Sequence, residues 1–276
     1  MSTLHLVATP IGNLEDISAR ALRVLSEVCL IAAEDTRHTG RLLQHYGIQT
    51  PCISYHEHNK LTRLERVLAA LAAGDVALVS DAGTPALNDP GYELVQAVLA
   101  AGHDVSPVPG ACAPVAALVA SGLPTDTFLY LGYLPRRQVD RLRLLQSIAT
   151  LPHTLIFLET PHRLLEALSD LVARLGDRPI AVARELTKLH EEIFRGTLTQ
   201  AQVHFNAQPP RGEFTLVVAG YIAVPGRWSE EHLRSALQSA QESGEKPSVL
   251  ARRMAAESGW PKSEVYELLK TLRVTE

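Results

Sequence analysis

The sequence predicts an α/β fold built from two α/β subdomains, with a small all-helical domain at the C-terminal end. Three observations carry this. In the first half, short apolar runs alternate with helix-period segments, the pattern of a mostly parallel sheet covered on both faces. Beyond a break at Ser121-Gly122-Leu123-Pro124-Thr125 the strands follow one another more closely, as in a mixed sheet. From Ser229 onward only helical periodicity remains. The expected boundaries are 1–121, 125–224 and 229–276.

The elements follow in order. Leu4–Ala8 is an apolar strand, and after the loop Thr9-Pro10-Ile11-Gly12-Asn13-Leu14 an amphipathic helix runs through Ser26. Val28–Ala33 is β-capable and leads to a helix over Thr36–His45. Cys52–Tyr55 is a short strand, followed by a helix over Leu61–Ala73. Strands at Val76–Val79 and Val105–Val108 precede helices at Tyr92–Ala100 and Pro114–Ala120. In the second subdomain, strands are expected at Phe128–Tyr133, Thr154–Leu158, Ile180–Arg184, Ile193–Thr197 and Phe214–Ala219, the last pairing near a sheet edge. Helices are expected at Arg136–Ser147 and His162–Leu175, the latter with Thr160 as N-cap and Pro161 at its first position. Pro225–Trp228 reads as a linker to three helices, Glu230–Gln241, Pro247–Ser258 and Lys262–Leu272. Ser248 and Ser263 suit helix starts, and Gly259 suits a stop. The turn at Gly259-Trp260-Pro261 gives this tail the look of a helix-turn-helix, or equally of a helical cap.

The chain has 276 residues, 46% hydrophobic and 20% charged, ample for buried cores. A net charge of −4 argues against a general basic coat for nucleic acid, though not against a local basic patch. Cys29, Cys52 and Cys112 form no CxxC pair, which disfavours a disulfide scaffold or structural zinc. No apolar run approaches the ~20 residues of a membrane span, and no secretory leader is visible, so a cytoplasmic protein is expected.

The richest signal is Val76–Gly91, VALVSDAGTPALNDPG, a buried strand that opens into a loop of Gly, Pro, Thr and Asp. Ligands of open α/β sheets sit at that end of the strands. Gly83 lets a ligand approach the main chain, and Pro85 and Pro90 stiffen the loop. The same logic recurs at Pro109-Gly110-Ala111-Cys112-Ala113 and at 9–14, so three strand-end loops point to one ligand cleft. Glu34-Asp35-Thr36-Arg37 emerges at a fourth strand end, where the carboxylates suit either a helix cap or substrate binding. His56 and His58 alternate on an extended segment, but a metal needs a third ligand and none is suitably spaced, so the expectation is a polar loop without metal. Glu159-Thr160-Pro161-His162-Arg163 offers a carboxylate, an imidazole and a guanidinium for phosphate binding or hydroxyl activation. Arg184 to Glu192 and Arg211-Gly212-Glu213 are charged loops that, with Arg136, Arg137 and Arg163, suggest a basic rim.

Taken in order, TPIGNL, EDTRHTGRLL, SYHEHN, SDAGTPALNDPG, PVPGACA, GYLPR, ETPHR, RELTKLHEE and RGEFTLVV resemble the bacterial small-subunit rRNA ribose 2′-O-methyltransferases. That family lies within the tetrapyrrole-methylase-like superfamily, the class III methyltransferases. The resemblance runs from Leu4 to about Ala219. It departs from the superfamily's GxGxG at the first strand, where this chain has Pro10-Ile11-Gly12, and from the family's usual Ser at Thr160. The resemblance implies S-adenosylmethionine as methyl donor, held between the two subdomains. It further implies a homodimer and a cytidine ribose in the decoding region of 16S rRNA as acceptor. On this reading Pro10, Gly12, Asp81, Ala82, Gly83, Thr84, Pro109, Gly110, Ala111 and Ala113 contact the donor, with Leu134 and Phe157 closing its adenine side. Glu34, His56, Glu159 and His162 are the candidates for handling the acceptor hydroxyl, and Arg37, Arg136, Arg163, Lys188 and Arg211 for phosphate contacts. A tetrapyrrole methyltransferase of the same superfold and a non-enzymatic RNA-binding module are the alternatives.

Overall fold

Strands that are apolar at consecutive positions can be buried only if both faces of their sheet are covered. In the computed structural model, β1 (Thr3–Val7), β2 (Leu30–Ala33), β3 (Cys52–Ser54), β4 (Val76–Val79) and β5 (Asp104–Val108) form an all-parallel sheet in the order β3-β2-β4-β1-β5. Residues 2–56, 59–207, 209–222, 227–241 and 245–274 are described. His58, and Pro225 and Gly226 of the expected linker, lie outside them.

Alternate residues of the first sheet serve opposite faces. Leu30, Ala32, Val76 and Leu78 pack with Val67 and Leu71 of α3 (Lys60–Leu71) and with Leu94 and Val98 of α4 (Tyr92–Ala100). Ile31, Ala33, Ala77 and Val79 face α1 (Ala19–Glu27) and α2 (Thr36–His45). The first helix does not follow its loop directly. A 3-10 turn over Leu14–Asp16 intervenes, and Ser18 then caps α1 by accepting from the Ala21 N–H.

The second sheet joins β6 (Phe128–Tyr133), β7 (Thr154–Glu159), β8 (Pro179–Arg184), β9 (Glu192–Thr197) and β10 (Phe214–Val218) in the order β6-β7-β10-β8-β9. β10 was expected near an edge and is instead the central strand, antiparallel to both β7 and β8. All five of its residues are buried, which an edge strand would not allow. One face carries α6 (Gln138–Ile148), α7 (Leu164–Leu175) and α8 (Leu198–Ala207) over Leu155, Phe157, Val182 and Leu216. α8 is absent from the sequence reading; its buried residues, Leu198, Ala201 and Phe205, are too few for a strong period. The other face is covered by α5 (Ala113–Ser121), whose Ala117 and Leu118 meet Ile156, Ala181 and Val217. So the last helix of the first half packs on the second sheet and joins the halves. α7 starts at Leu164 with Arg163 as its cap residue, so Thr160 and Pro161 belong to the preceding turn and do not cap it as expected.

Met1–Tyr221 forms one compact unit and Ile222–Glu276 another. The second unit holds α9 (Glu230–Gln241), α10 (Pro247–Ser258) and α11 (Lys262–Val274) around Leu233, Leu237, Leu250, Met254, Val265 and Leu269. Pro247 and Lys262 open the second and third helices at the expected positions, and Ser248 and Ser263, which suit helix starts, fall inside the first turns. Gly259 ends α10 in the left-handed conformation, as its position suggested. The Trp260 Nε1–H donates to the Trp228 carbonyl, and the Trp228 N–H to that of Ser258, closing the bundle.

Candidate active-site cleft

The three strand-end loops are tied together through their main chains. Thr9 and Gly83 exchange both backbone hydrogen bonds, at 2.9 and 3.0 Å. The Ala8 N–H donates to the Val108 carbonyl, and the Thr84 hydroxyl to that of Ala111. Gly83 adopts φ +81, a conformation that favours glycine. Gly110 sits so close to Ala8 that a Cβ there would fall 2.9 Å from the Ala8 Cβ. Close backbone approach, rather than side-chain contact, holds this rim.

Between the rim and the second sheet lies a cleft. Its walls include Ile11, Glu34, Asp81, Ala82, Gly83, Thr84, Asp89 and Ala113 from the first half, and Tyr130, Tyr133, Leu158, Glu159 and Glu213 from the second. The carboxylates on the first-sheet side are held by peptide N–H groups. Glu34 accepts from the Asp81 N–H at 3.2 Å, and Asp81 Oδ1 from the Asp35 N–H at 3.0 Å. Asp89 carries the consequence: burial, and then the nearby Glu34 and Asp81, push its carboxyl up to about 6. Tyr130 contributes a hydroxyl that is buried and meets no hydrogen-bond partner among the described residues. Its burial pushes that phenol up to about 12.

The second-sheet side differs. Glu159 is buried, with Oε1 accepting from the Thr160 N–H and Oε2 from Arg163, each at 2.7 Å. Arg163 also donates to the Leu134 carbonyl, so this guanidinium is committed to the fold. Lys188 pairs with Glu185 at 2.9 Å and Glu213 at 3.0 Å. Burial alone would lower its ammonium pKa, but the two carboxylates outweigh that and raise it. Arg37 pairs with the capping residue Asp35, whose carboxyl it holds well below the usual range. Arg136 and Arg211 are exposed and make no ion pair among the described residues.

The remaining expected site residues fall elsewhere. Leu134 and Phe157 lie in the core under α6 and α7, so they do not close the cleft; Leu158, the next residue on β7, faces it. Gly12 serves packing between the halves: a Cβ there would collide with Lys188 Cγ and lie 3.0 Å from the Leu186 carbonyl oxygen. Pro10 lines a neighbouring cavity. Pro109, Gly110 and Ala111 back the rim without lining the cleft itself. His56 sits against Asn59, which contacts its Nε2 at 3.0 Å, and His162 is exposed; neither lines the cleft. Among the described residues, no three His, Cys, Asp or Glu side chains cluster as a metal site would require. The sequence reading did not single out Asp89 and Tyr130, both of which line the cleft. Asp89 stood within the singled-out loop, and Tyr130 sits on a strand whose two faces are both partly apolar, so nothing marked its direction.

With the geometry in place, comparison with known proteins adds the lineage. The family model for tetrapyrrole (corrin/porphyrin) methylases matches residues 3–202. A Synechocystis sp. protein named "Ribosomal RNA small subunit methyltransferase I" is 51% identical, the match covering 97% of each chain. An Escherichia coli O157:H7 protein of the same name is 47% identical, covering 96% of this chain and 93% of its own. Among solved structures, the methyltransferase CobJ superposes with a TM-score of 0.61 at 19% identity, over 83% of this chain and 98% of its own, a likeness of fold.

Proposed function

The chain belongs to the tetrapyrrole methylase family, and from that premise we propose that it methylates small-subunit ribosomal RNA with S-adenosylmethionine as donor. The acceptor on this reading is the ribose 2′-hydroxyl of a cytidine in the decoding region of 16S rRNA. The enzyme would work as a homodimer, on the family resemblance, and in the cytoplasm. The observation that carries the proposal is near-half identity to proteins named for rRNA methylation along almost the whole chain, helical tail included. Likeness to the solved methyltransferases carries the fold alone.

The cleft suits the donor. A sulfonium and an ammonium are cations, and Glu34, Asp81 and Asp89 stand together there with no ion pair among the described residues. The buried, unpartnered Tyr130 hydroxyl is the kind of group a bound ligand would satisfy. Residues 81–84 and Ala113 would hold the donor, backed by 109–111 and faced by Tyr130. Bound there, the donor supplies a methyl group on positively charged sulfur, an electrophile that needs alignment more than acid.

The chain's own part is to align and to handle one proton. Glu34 fixes the Asp81 main chain, and Asp81 in turn fixes the start of α2 through the Asp35 N–H. A carboxylate of the Glu34, Asp81 and Asp89 group would take the acceptor proton; Asp89, raised to about 6, is ionised above that pH and is then a stronger base than an ordinary carboxylate. Both Glu159 oxygens are taken by Thr160 and Arg163, which makes Glu159 a positioning group here. The test offers labelled S-adenosylmethionine with small ribosomal subunits, free rRNA and a tetrapyrrole precursor. Label on one cytidine ribose is the expected result; label on the tetrapyrrole, or on no acceptor, overturns it.

A further inference from the structure

A second cavity opens beside Asp81. Thr9, Pro10, His38, Thr39, Arg41 and Ser80 are among its lining residues, and Asp81 belongs to the walls of this cavity and of the main cleft. Two features mark it as built for a ligand. Thr39 on α2 is 2% exposed, yet its hydroxyl meets no hydrogen-bond partner among the described residues. A buried hydroxyl left unmatched costs stability that a bound group can restore. Arg41, two residues on, is exposed and makes no ion pair among the described residues, unlike Arg163 and Lys188. The chemistry is opposite to that of the main cleft, whose first-sheet wall is acidic.

We infer that this cavity seats a ribose phosphate of the acceptor RNA, with Arg41 on the phosphate and the Thr39 hydroxyl on a sugar or phosphate oxygen. The inference rests on the RNA-methylation reading above. A guanidinium matches phosphate oxygens in a two-pronged fashion, and a hydroxyl serves as donor or acceptor to a sugar. Asp81 makes the placement specific. Its Oδ1 is used by the Asp35 N–H, which leaves Oδ2 for a group seated between the two cavities. A nucleotide held by Thr39 and Arg41 therefore meets the donor cleft across a single carboxylate.

The test uses the full chain saturated with S-adenosylhomocysteine and a fluorescent rRNA fragment spanning the decoding region. Arg41→Glu is expected to weaken RNA binding at least about tenfold, and Arg41→Lys to recover part of that. Thr39→Val, which keeps shape and charge, is expected to weaken it about threefold to tenfold. Arg23→Glu, a charge reversal on α1, changes it about twofold at most. Calorimetry with S-adenosylhomocysteine should find donor affinity unchanged in all four, which also shows that they fold. RNA binding by Arg41→Glu and Thr39→Val equal to wild type overturns the inference, as does a loss in Arg23→Glu matching that in Arg41→Glu. Absence of RNA binding by the wild-type chain also overturns it. If the variants lose RNA binding as expected but the wild-type chain places no methyl on rRNA, the cavity stands as a ribonucleotide site and the proposed reaction falls.

Discussion

The two sheets present opposite chemistry to the same cleft. At the carboxyl ends of the parallel sheet, Glu34 and Asp81 are anchored by peptide N–H groups, and Asp89 is crowded by both. At the facing edge of the mixed sheet, charges are already matched: Glu159 with Arg163, Lys188 with Glu185 and Glu213. An unmatched charge in a partly dry site is costly to the fold and useful to a ligand. A matched one is rigid and chemically quiet. On the proposed reading the first sheet supplies the charged contacts to the ligand and the second supplies the opposite wall with the Tyr130 hydroxyl, a contrast that substitutions can break or sharpen.

The largest effect is expected at the rim. Gly110→Val cannot keep its approach to Ala8 and should displace the loop, costing about 100-fold or more in donor affinity by calorimetry. Undiminished binding would remove this loop from the ligand side of the comparison. Next is Arg163→Met, which strands the buried Glu159 carboxylate and should cost about 3–5 kcal/mol in urea unfolding. Adding Glu159→Gln should recover part of that loss, because no buried charge then remains. A single variant as stable as wild type would show that the second-sheet pair is not structural.

Asp89→Asn probes the crowded side. The Asp89 carboxyl is raised to about 6 in the folded chain, against an ordinary 3.8. The folded state therefore binds the proton more tightly than the unfolded one, and this group's contribution to stability falls as pH rises from about 4 through 6. Asparagine removes that cost, so the variant should be more stable than wild type above pH 7 by about 1 kcal/mol, discounted for solvent screening, and no more stable near pH 4. Chemical unfolding across pH checks it, and a constant difference would show that Asp89 is not the strained group. Smallest is Arg37→Ala. Its exposed pair with Asp35 should leave the melting temperature unmoved.

Much of this was legible in the sequence. Leu30 to Ala33 and Val76 to Val79 are apolar at every position, which already requires a sheet covered on both faces. The Gly and Pro content of 81–91 and 109–113 located the rim, because only small residues permit such close backbone approach. Other features were not legible. The central place of β10 depends on which partners flank it, and its five apolar residues suit any buried position. That Gly12 packs the halves together, rather than facing a ligand, depends on Lys188, far away in the chain.

The succession of strands and helices along the chain and the chemistry of its loops follow from the sequence alone, because hydrophobic period and turn residues act over a few neighbours. Which side of β7 faces the cleft, Phe157 or Leu158, and which charges find partners, was decided only by the tertiary structure. A strand apolar on both faces carries no mark of direction, and an ion pair is set by distance in space between residues remote along the chain.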